Sequence, residues 1–190
     1  MKQKLFYALA VILIVCNQAC KKKEENPGPQ VKQINNIVMA DDKLIDLTDG
    51  SAYSSTEAMG NESKIDANYS KALTFTDTQT GKDTTLKSVL LSAEFLSLNG
   101  TSSLPNKTTF APVLNGKTLD DVTYDQLKTM YDEAVTAFSG DTPLLSGVPA
   151  NIIIMFKIRN NTNSPKYGGI KINSFTADSL AANVSITVQE

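Results

Sequence analysis

The first 25 residues limit where the folded part of the chain can begin. Lys2 and Lys4 precede an unbroken apolar run at residues 5–15, and a small residue, Ala19, stands just before Cys20 and a charged cluster. A basic start, a short apolar core and a small residue before a cut are the pattern of a secretory signal peptide. The apolar run has 11 residues, whereas a membrane-spanning helix needs about 20. We therefore predict that residues 1–19 are removed.

Cys20 directly follows Ala19, and this pair resembles the lipobox of bacterial lipoproteins, in which the cysteine becomes the lipidated first residue. The sequence departs from the pattern at Asn17, where an aliphatic residue is usual. Cys16 is the other candidate, but it follows Val15, which is a poor cleavage residue. The resemblance implies lipid attachment at Cys20. A plain signal peptide cut near Ala19 is the alternative.

Cys16 and Cys20 are the two cysteines of the sequence. Because Cys16 would leave with the signal peptide, the mature chain cannot form an internal disulfide, and its remaining thiol suits lipid attachment. Several acyl chains anchor a protein stably where a single chain does not. We therefore expect the membrane to be a partner through the lipid on Cys20.

Residues 21–25 (KKKEE) are similar to the charged export signal that follows the lipidated cysteine in surface lipoproteins of the Bacteroidetes type. Residues 26–30 contain two prolines and a glycine, which favour an extended spacer. Residues 20–32 are thus predicted to be the lipidated cysteine and a flexible tether. The expected location is the outer membrane, lipid-anchored and exposed at the cell surface, with its periplasmic face as the alternative.

Residues 33–190 are predicted to form a single β-rich domain. They number about 158, which suffices for one domain with its own core. Removing residues 1–32 takes six lysines and two glutamates from the totals, which leaves 12 basic against 18 acidic residues and a net charge of −6. An acidic balance gives no support to nucleic-acid binding. Gly and Pro recur between short apolar runs, a texture typical of strands joined by turns.

Six short segments before the helix are predicted to be strands, at 34–39, 43–47, 51–54, 64–69, 72–76 and 108–113. Asp49-Gly50 predicts a hairpin between the second and the third. In the fourth, apolar residues alternate with Asp66 and Asn68, as expected of a half-buried strand. Pro112 favours an edge position for the last. Residues 84–98 fit both a helix and a strand, and we favour a strand that runs into a loop.

One amphipathic helix is predicted at about 123–139, packed on the sheet. Thr123 and Gln126 form a capping box at its start, and Gly140 is expected to close it in the left-handed conformation. One continuous apolar stripe follows helical spacing: Leu127, Met130, Tyr131, Ala134, Val135 and Phe138.

The last third predicts an antiparallel meander. Residues 151–158 are almost all apolar and predict a central strand buried on both faces, and further strands are predicted at 166–172 and 184–188. The predicted fold class is therefore mostly β (α+β), an antiparallel β-sandwich-like domain with one helix.

The residue inventory favours a protein that is not an enzyme, without a cofactor or a metal. The sequence contains no histidine, the commonest general base and metal ligand. Asp41, Asp42, Asp46 and Asp49 could offer oxygen ligands to calcium, but their spacing matches no calcium loop, and turn chemistry explains them better. Hydrolysis by paired carboxylates stays open, although the sequence selects no pair.

Asp178-Ser179-Leu180 is similar to the short O-glycosylation motif of Bacteroidetes envelope proteins. Ser179 is therefore a candidate O-glycosylation site. The alternative is that these three residues form an ordinary hairpin loop.

Three pieces of the chain together resemble the HmuY-like haemophore lipoproteins. They are the Asp-Leu-x-x-Gly hairpin at 46–50, Ile65-Asp66, and the closing strands at 152–158 and 166–172 (KYGGIKI). The resemblance covers about a third of the chain and implies a mostly-β fold and a lipoprotein. It departs from the family at Ile65, where tryptophan is usual, and histidine haem ligands are absent. Methionines serve some relatives, and of the four in the domain Met39 and Met59 look less core-like than Met130 and Met155.

The leading hypothesis is a non-catalytic binding or interaction module that recognises an extracellular ligand or protein. A haemophore-like carrier without histidine ligands is the alternative, and a carboxylate-dependent hydrolase is the second alternative.

Overall fold

The computed structural model describes residues 29–98, 103–113, 117–160 and 164–190. The predicted signal peptide, the lipid attachment at Cys20 and most of the tether at 20–32 therefore lie outside the described residues. The first strand begins at Val31, so the last two residues of the predicted tether belong to the folded part instead. Within the ranges described, no helix is long and apolar enough to cross a membrane.

Five antiparallel strands form one sheet, called sheet A: β1 (Val31–Ala40), β6 (Lys107–Val113), β8 (Ile153–Arg159), β9 (Lys166–Phe175) and β10 (Ala181–Gln189). Their order is β1-β10-β9-β8-β6, which confirms the predicted meander of the last third. Ile154 and Phe156 lie on one face of β8 and Ile153 and Met155 on the other, and all four are buried. The prediction of a strand buried on both faces is thus confirmed.

Five further strands form sheet B: β2 (Lys43–Ile45), β3 (Ala52–Tyr53), β4 (Ala67–Thr76), β5 (Asp83–Ser92) and β7 (Leu144–Leu145). Their order is β3-β2-β4-β5-β7, and all neighbours are antiparallel. β2 and β3 form the hairpin predicted around Asp49-Gly50. The segments predicted as separate strands at 64–69 and 72–76 are one strand, β4, so their separation is wrong. Residues 84–98 form most of β5 and a short 3₁₀ turn, as we favoured.

The main hydrophobic core lies between the two sheets, which confirms the mostly-β, sandwich-like fold class. Both sheets and the loop after β2 contribute fully buried side chains: Ile45, Leu47, Leu90, Phe110, Ile154, Phe156, Ile170, Val184 and Ile186. Burying one such side chain contributes about 1.5–3 kcal/mol relative to leaving it in water. Sheet-to-sheet packing therefore supplies the larger part of the stabilising apolar burial.

Residues 64–69 were predicted to form a half-buried strand whose polar residues face the solvent. That prediction is wrong, because two of the polar residues are buried as well. Asp66 is 2% exposed and Asn68 is 8% exposed, although alternation placed both on the solvent side. The Asn68 side-chain amide donates to the carbonyl oxygen of Lys43 at 3.0 Å. Buried polar groups are tolerated where they find such partners, and those of Asp66 are described below.

Two helices complete the described chain, a single turn α1 (Ser55–Ala58) and the predicted amphipathic helix α2 (Tyr124–Ala137). The capping box at the start of α2 is confirmed, because the Gln126 N–H donates to the Thr123 hydroxyl and the Thr123 N–H donates to the Gln126 side chain. The buried stripe packs on the outer face of sheet A against Leu119, Ile153 and Met155.

The end of α2 differs from the prediction at two residues. Ser139, with φ 58°, takes the left-handed position that was assigned to Gly140. The Gly140 N–H then donates to the Val135 carbonyl at 2.9 Å and the Ser139 N–H to that of Thr136 at 3.4 Å, which is a Schellman motif. Phe138 lies past the last turn and is 40% exposed, so its assignment to the buried stripe is wrong.

β6 is the outermost strand of sheet A, which confirms the edge position predicted from Pro112. The outward N–H of Thr108 donates to the Ser92 hydroxyl at 2.8 Å, and that of Phe110 donates to the Thr142 carbonyl at 2.8 Å. Pro112 has no N–H to offer, so this edge resists pairing with another chain.

Residues 142–145, called the bridging segment, join the two sheets. Thr142 exchanges both backbone hydrogen bonds with Phe110 of sheet A. Leu144–Leu145 then pairs with β5 of sheet B. This crossing fixes the positions of residues 138–149 relative to β6 and β5.

Candidate ligand-binding cleft

A cleft of about 510 Å³ opens beside the edge strand β6. Three parts of the chain form its walls: β6 itself, residues 138–142 at the end of α2, and residues 145–149 with Ile152 before β8. Ligand sites for small molecules commonly have volumes of about 300–1,000 Å³, so the cleft is large enough for one.

Apolar side chains form the floor of the cleft. Phe110 is fully buried and Val148 is 7% exposed, while Pro112, Leu145 and Ile152 are half-buried. Except for Pro112, these side chains already belong to the main core or pack against it on one side. Their other sides face the cleft, where an apolar ligand would remove further surface from water.

The loop before β8 shapes the far wall through its own sequence. Gly147 turns the chain with φ 69°, a conformation that glycine adopts at little cost. Its N–H donates to the carbonyl oxygen of Lys87 at 2.8 Å, which fixes the loop to β5. Pro149 follows two residues later and stiffens the exit from this turn.

The rim of the cleft is polar, with hydroxyl groups from Ser139, Thr142 and Ser146. Asp141 is the one ionisable side chain among the residues that line the cleft in the described ranges. A ligand that enters would therefore meet apolar surface below and a few polar groups above.

Two donors hold the Asp141 carboxylate in place. The Tyr131 hydroxyl and the Lys157 ammonium both donate to Oδ2, the latter at 3.0 Å. Partial burial works to raise the pKa of Asp141, but the hydrogen bonds from Tyr131 and Lys157 prevail and lower that pKa to about 2. Burial and the bond to Asp141 raise the pKa of Tyr131. At neutral pH the rim therefore carries a fixed carboxylate beside a neutral phenol.

A second, smaller pocket of about 190 Å³ lies at another end of the sandwich. Asp46, Asp66, Asn106, Lys64 and Lys166 are among the residues that line it. The three pieces that carry the family resemblance thus meet here, because Asp46 opens the hairpin, Asp66 belongs to the Ile65-Asp66 pair and Lys166 begins β9.

Asp66 ties three parts of the chain together inside this pocket. Its Oδ2 accepts the N–H of Leu47 and its Oδ1 accepts the side-chain amide of Asn106, both at 2.9 Å. The same Asn106 amide also donates to the carbonyl oxygen of Ser63 at 2.9 Å. Burial and, to a smaller extent, the negative charge of Asp46 raise the pKa of Asp66 to about 8. Because both of its oxygens accept hydrogen bonds, the Asp66 carboxyl links the loop after β2 to Asn106.

Asp46 and Asp49 of the first hairpin have partners in the turn, as turn chemistry predicted for these two. Asp41 and Asp42 instead accept from residues of β4, the N–H of Lys71 and the hydroxyl of Ser70. Asp46 Oδ1 accepts the N–H of Thr48 at 2.8 Å and that of Asp49 at 3.2 Å. Asp49 in turn accepts the N–H of Ser51 at 2.7 Å. Within the described residues, no group of three or more acidic, histidine or cysteine side chains is arranged to hold a metal ion.

Ser179 lies in the turn between β9 and β10, in the hairpin loop that was the alternative to glycosylation. It is half-buried with φ 60°, and its carbonyl oxygen accepts the Tyr69 hydroxyl at 3.2 Å. Cys20, the other residue assigned a role from the sequence, lies outside the described residues.

The methionines do not form a pair of exposed ligands. Met39 was expected to be less core-like, but it is fully buried in sheet A, so that expectation is wrong. Met155 is also fully buried and Met130 is 8% exposed, whereas Met59 is 45% exposed. A haem held between two of these side chains would require the core to open.

The cleft itself was missed by the sequence reasoning. Its lining combines β6 with residues 138–152, which begin 26 residues after Pro112, and no local period connects the two. One signal was present, because the loop 143–149 (PLLSGVP) carries Leu144, Leu145 and Val148 without strand or helix spacing. Apolar residues in a Gly/Pro loop indicate a segment that packs against something else.

No protein-family model matches this chain, and no curated protein matches it. Among solved structures, the fold is similar to that of a DUF4466 family protein from Parabacteroides merdae, with a TM-score of 0.54 and 14% sequence identity. The match covers 83% of this chain and 53% of the other, so this chain spans about half the length of that protein. At this identity the likeness concerns the fold alone.

Proposed function

We propose that this protein is a non-catalytic binding protein of the cell envelope, anchored to the outer membrane through Cys20, whose cleft receives a small amphipathic molecule. The observation that carries the proposal is the cleft of about 510 Å³, with an apolar floor at Phe110 and Val148 and a polar rim. A concave, mostly apolar site with a few placed polar groups is the usual form of small-molecule sites.

The state of the acidic side chains supports binding rather than catalysis. Both oxygens of Asp66 accept structural N–H donors, and Asp46 caps the turn that follows it. A general acid or base must reach the substrate proton, and these carboxyl groups are 2% and 3% exposed. The cleft, by contrast, has an ionised carboxylate that two neighbours hold in place.

β1 and the cleft lie at opposite edges of sheet A. The tether leads into β1, whereas the cleft lies beside β6. Four strand spacings separate these edges, which is about 19 Å. An anchor on Cys20 would therefore hold the domain at the membrane without covering the entrance of the cleft.

Replacing Cys20 with alanine should release the protein from membranes. Acyl chains on Cys20 would supply the anchoring energy. We expect the Cys20→Ala protein in the soluble fraction and without acyl mass in mass spectrometry. Retention of acyl chains by this variant would refute the assignment, and Cys16→Ala is the control that should change nothing. Protease added to intact cells then distinguishes surface exposure from the periplasmic face.

Filling the cleft should weaken the binding of a neutral apolar dye. Ser146 is exposed on the rim, so Ser146→Trp would place an indole over the floor without disturbing the core. We expect Nile red to bind the purified protein with a saturable rise in fluorescence, and the affinity to fall by about tenfold or more in Ser146→Trp.

A tryptophan at another exposed serine gives the matched control. Ser174 lies on β9, outside the cleft, and is exposed. Ser174→Trp should bind the dye as the unmodified protein does. Equal binding by all three proteins would place the dye elsewhere and would count against the cleft as the ligand site.

A further inference from the structure

The residues that line the cleft in the described part of the chain carry one charge, and it is negative. Asp141 is the one charged side chain among the described residues that line it, and it remains ionised down to about pH 2. Tyr131 and Lys157 both donate to its Oδ2, and neither of them donates to Oδ1. The Asp141 side chain is 29% exposed, so a ligand could reach it without a rearrangement of the rim.

The C-terminal end of α2 adds to the same field. α2 has 14 residues, and Phe138, Ser139 and Gly140, which follow it, line the cleft. The carbonyl end of a helix carries a partial negative charge that favours cations. No basic side chain lies in the last turn of α2 to offset it. The net charge of −6 on residues 33–190 acts in the same direction at long range.

Lys157 is a cation beside Asp141 that opposes this field. Its ammonium lies 3.0 Å from Asp141 Oδ2 and 4.7 Å from the centroid of the Tyr131 ring. Its side chain is 12% exposed, and it is not among the residues that line the cleft. It therefore offsets part of the carboxylate charge without presenting its own charge to a ligand.

We infer that the ligand of the cleft is an organic cation, with an apolar body that lies on Phe110 and Val148 and a protonated amine that donates to Asp141 Oδ1. The inference rests on the proposed function, since it names the ligand class of the same site. A neutral molecule of the same shape binds more weakly, and an anion binds most weakly.

Three probes that share a phenyl ring on an alkyl chain but end in different polar groups test the inference: 4-phenylbutylamine, 4-phenylbutanol and 4-phenylbutyrate. Each is titrated against Nile red bound to the purified protein at low ionic strength. We expect the amine to bind at least about tenfold more tightly than the carboxylate, with the alcohol between them. The ratio should shrink in 0.5 M salt, because screening weakens exposed charge pairs.

Asp141→Asn removes the carboxylate and retains its shape, and we expect it to reduce the ratio of amine to carboxylate affinity to less than about threefold. Asp132→Asn is the matched control, since Asp132 is an exposed residue of α2 outside the cleft that pairs with Lys128. It should leave the ratio unchanged.

Each outcome has a separate meaning. A carboxylate that binds as tightly as the amine overturns the ligand class while the cleft remains a binding site. Failure of all three probes and of Nile red overturns the proposed function itself. If Asp141→Asn does not fold, the affinities of the amine, the alcohol and the carboxylate for the unmodified protein still test the ligand class.

Discussion

Replacing Asp66 with alanine is expected to lower the free energy of unfolding by about 3 kcal/mol. The change removes the acceptor of two buried N–H groups, that of Leu47 and one of the two on the Asn106 side-chain amide, whose other N–H still donates to Ser63. Each unsatisfied N–H costs about 1–3 kcal/mol. For a chain of this size we expect the midpoint of thermal unfolding to fall by about 6–12 °C, measured by circular dichroism. Asp83→Ala is the control, because Asp83 is exposed and its carboxylate accepts the Thr76 hydroxyl at the surface. A comparable loss of stability in both variants would contradict the account.

The pH dependence gives a second readout of the same residue. Burial and the charge of Asp46 raise the pKa of Asp66 to about 8 from an ordinary value of 3.8. The folded state thus binds a proton that the unfolded chain releases between these values. The stability from this group is complete below the unfolded pKa and is lost as the pH rises through the folded pKa. Unfolding free energy should therefore fall between about pH 4 and pH 8, and less steeply in Asp66→Asn. A rise over this range would refute the assignment.

Replacing Gly168 with alanine is expected to cost about 3 kcal/mol. A Cβ at this position would lie 2.3 Å from Phe156 Cζ and 2.6 Å from the carbonyl oxygen of Thr187. The oxygen belongs to the backbone of β10 and cannot move without breaking the sheet, so strand separation must change. Urea unfolding should show a lower midpoint with an unchanged slope.

The neighbouring glycine gives the control. A Cβ at Gly169 points to the other face, where it would lie 2.7 Å from Leu119 Cδ2 and 3.2 Å from Met155 Sδ. Both contacts are with the ends of flexible side chains, which can shift at a smaller cost. Gly169→Ala should therefore destabilise the protein less than Gly168→Ala. The reverse order would show that the packing between the sheets is looser than described.

Local signals predicted the helix well because they act within a few residues. The capping box of Thr123 and Gln126 and the stripe from Leu127 to Ala134 are properties of one turn and its neighbours. The same holds for the last strands, where alternation and apolar runs match the burial of β8. The end of α2 was placed one residue late, because Ser139 rather than the glycine took the left-handed position.

Tertiary partners decided the features that the sequence did not predict. Asp66 is buried because Leu47 and Asn106, which are 19 and 40 residues away, supply its donors. Alternation within 64–69 contains no information about them. Met39 likewise looks like a strand-end residue in the sequence, but it is fully buried in the core that residues of both sheets form together.

The cleft depends on tertiary structure in the same way. It exists because Thr142 crosses from the end of α2 to β6 and the next residues pair with β5. Each segment alone is an unremarkable loop or strand. Its floor, rim and carboxylate become one site only when both sheets and the helix are in place.

The measurement that tests the central claim most directly is methyl NMR of the purified protein during titration with 4-phenylbutylamine. If the cleft is the ligand site, the methyl signals of Leu145, Val148 and Ile152, which line it, will shift saturably. Those of Leu73 and Leu86, a cross-strand pair on the β4–β5 hairpin outside the cleft, will stay in place. Unmoved cleft methyls, or shifts centred on another part of the domain, would contradict the account.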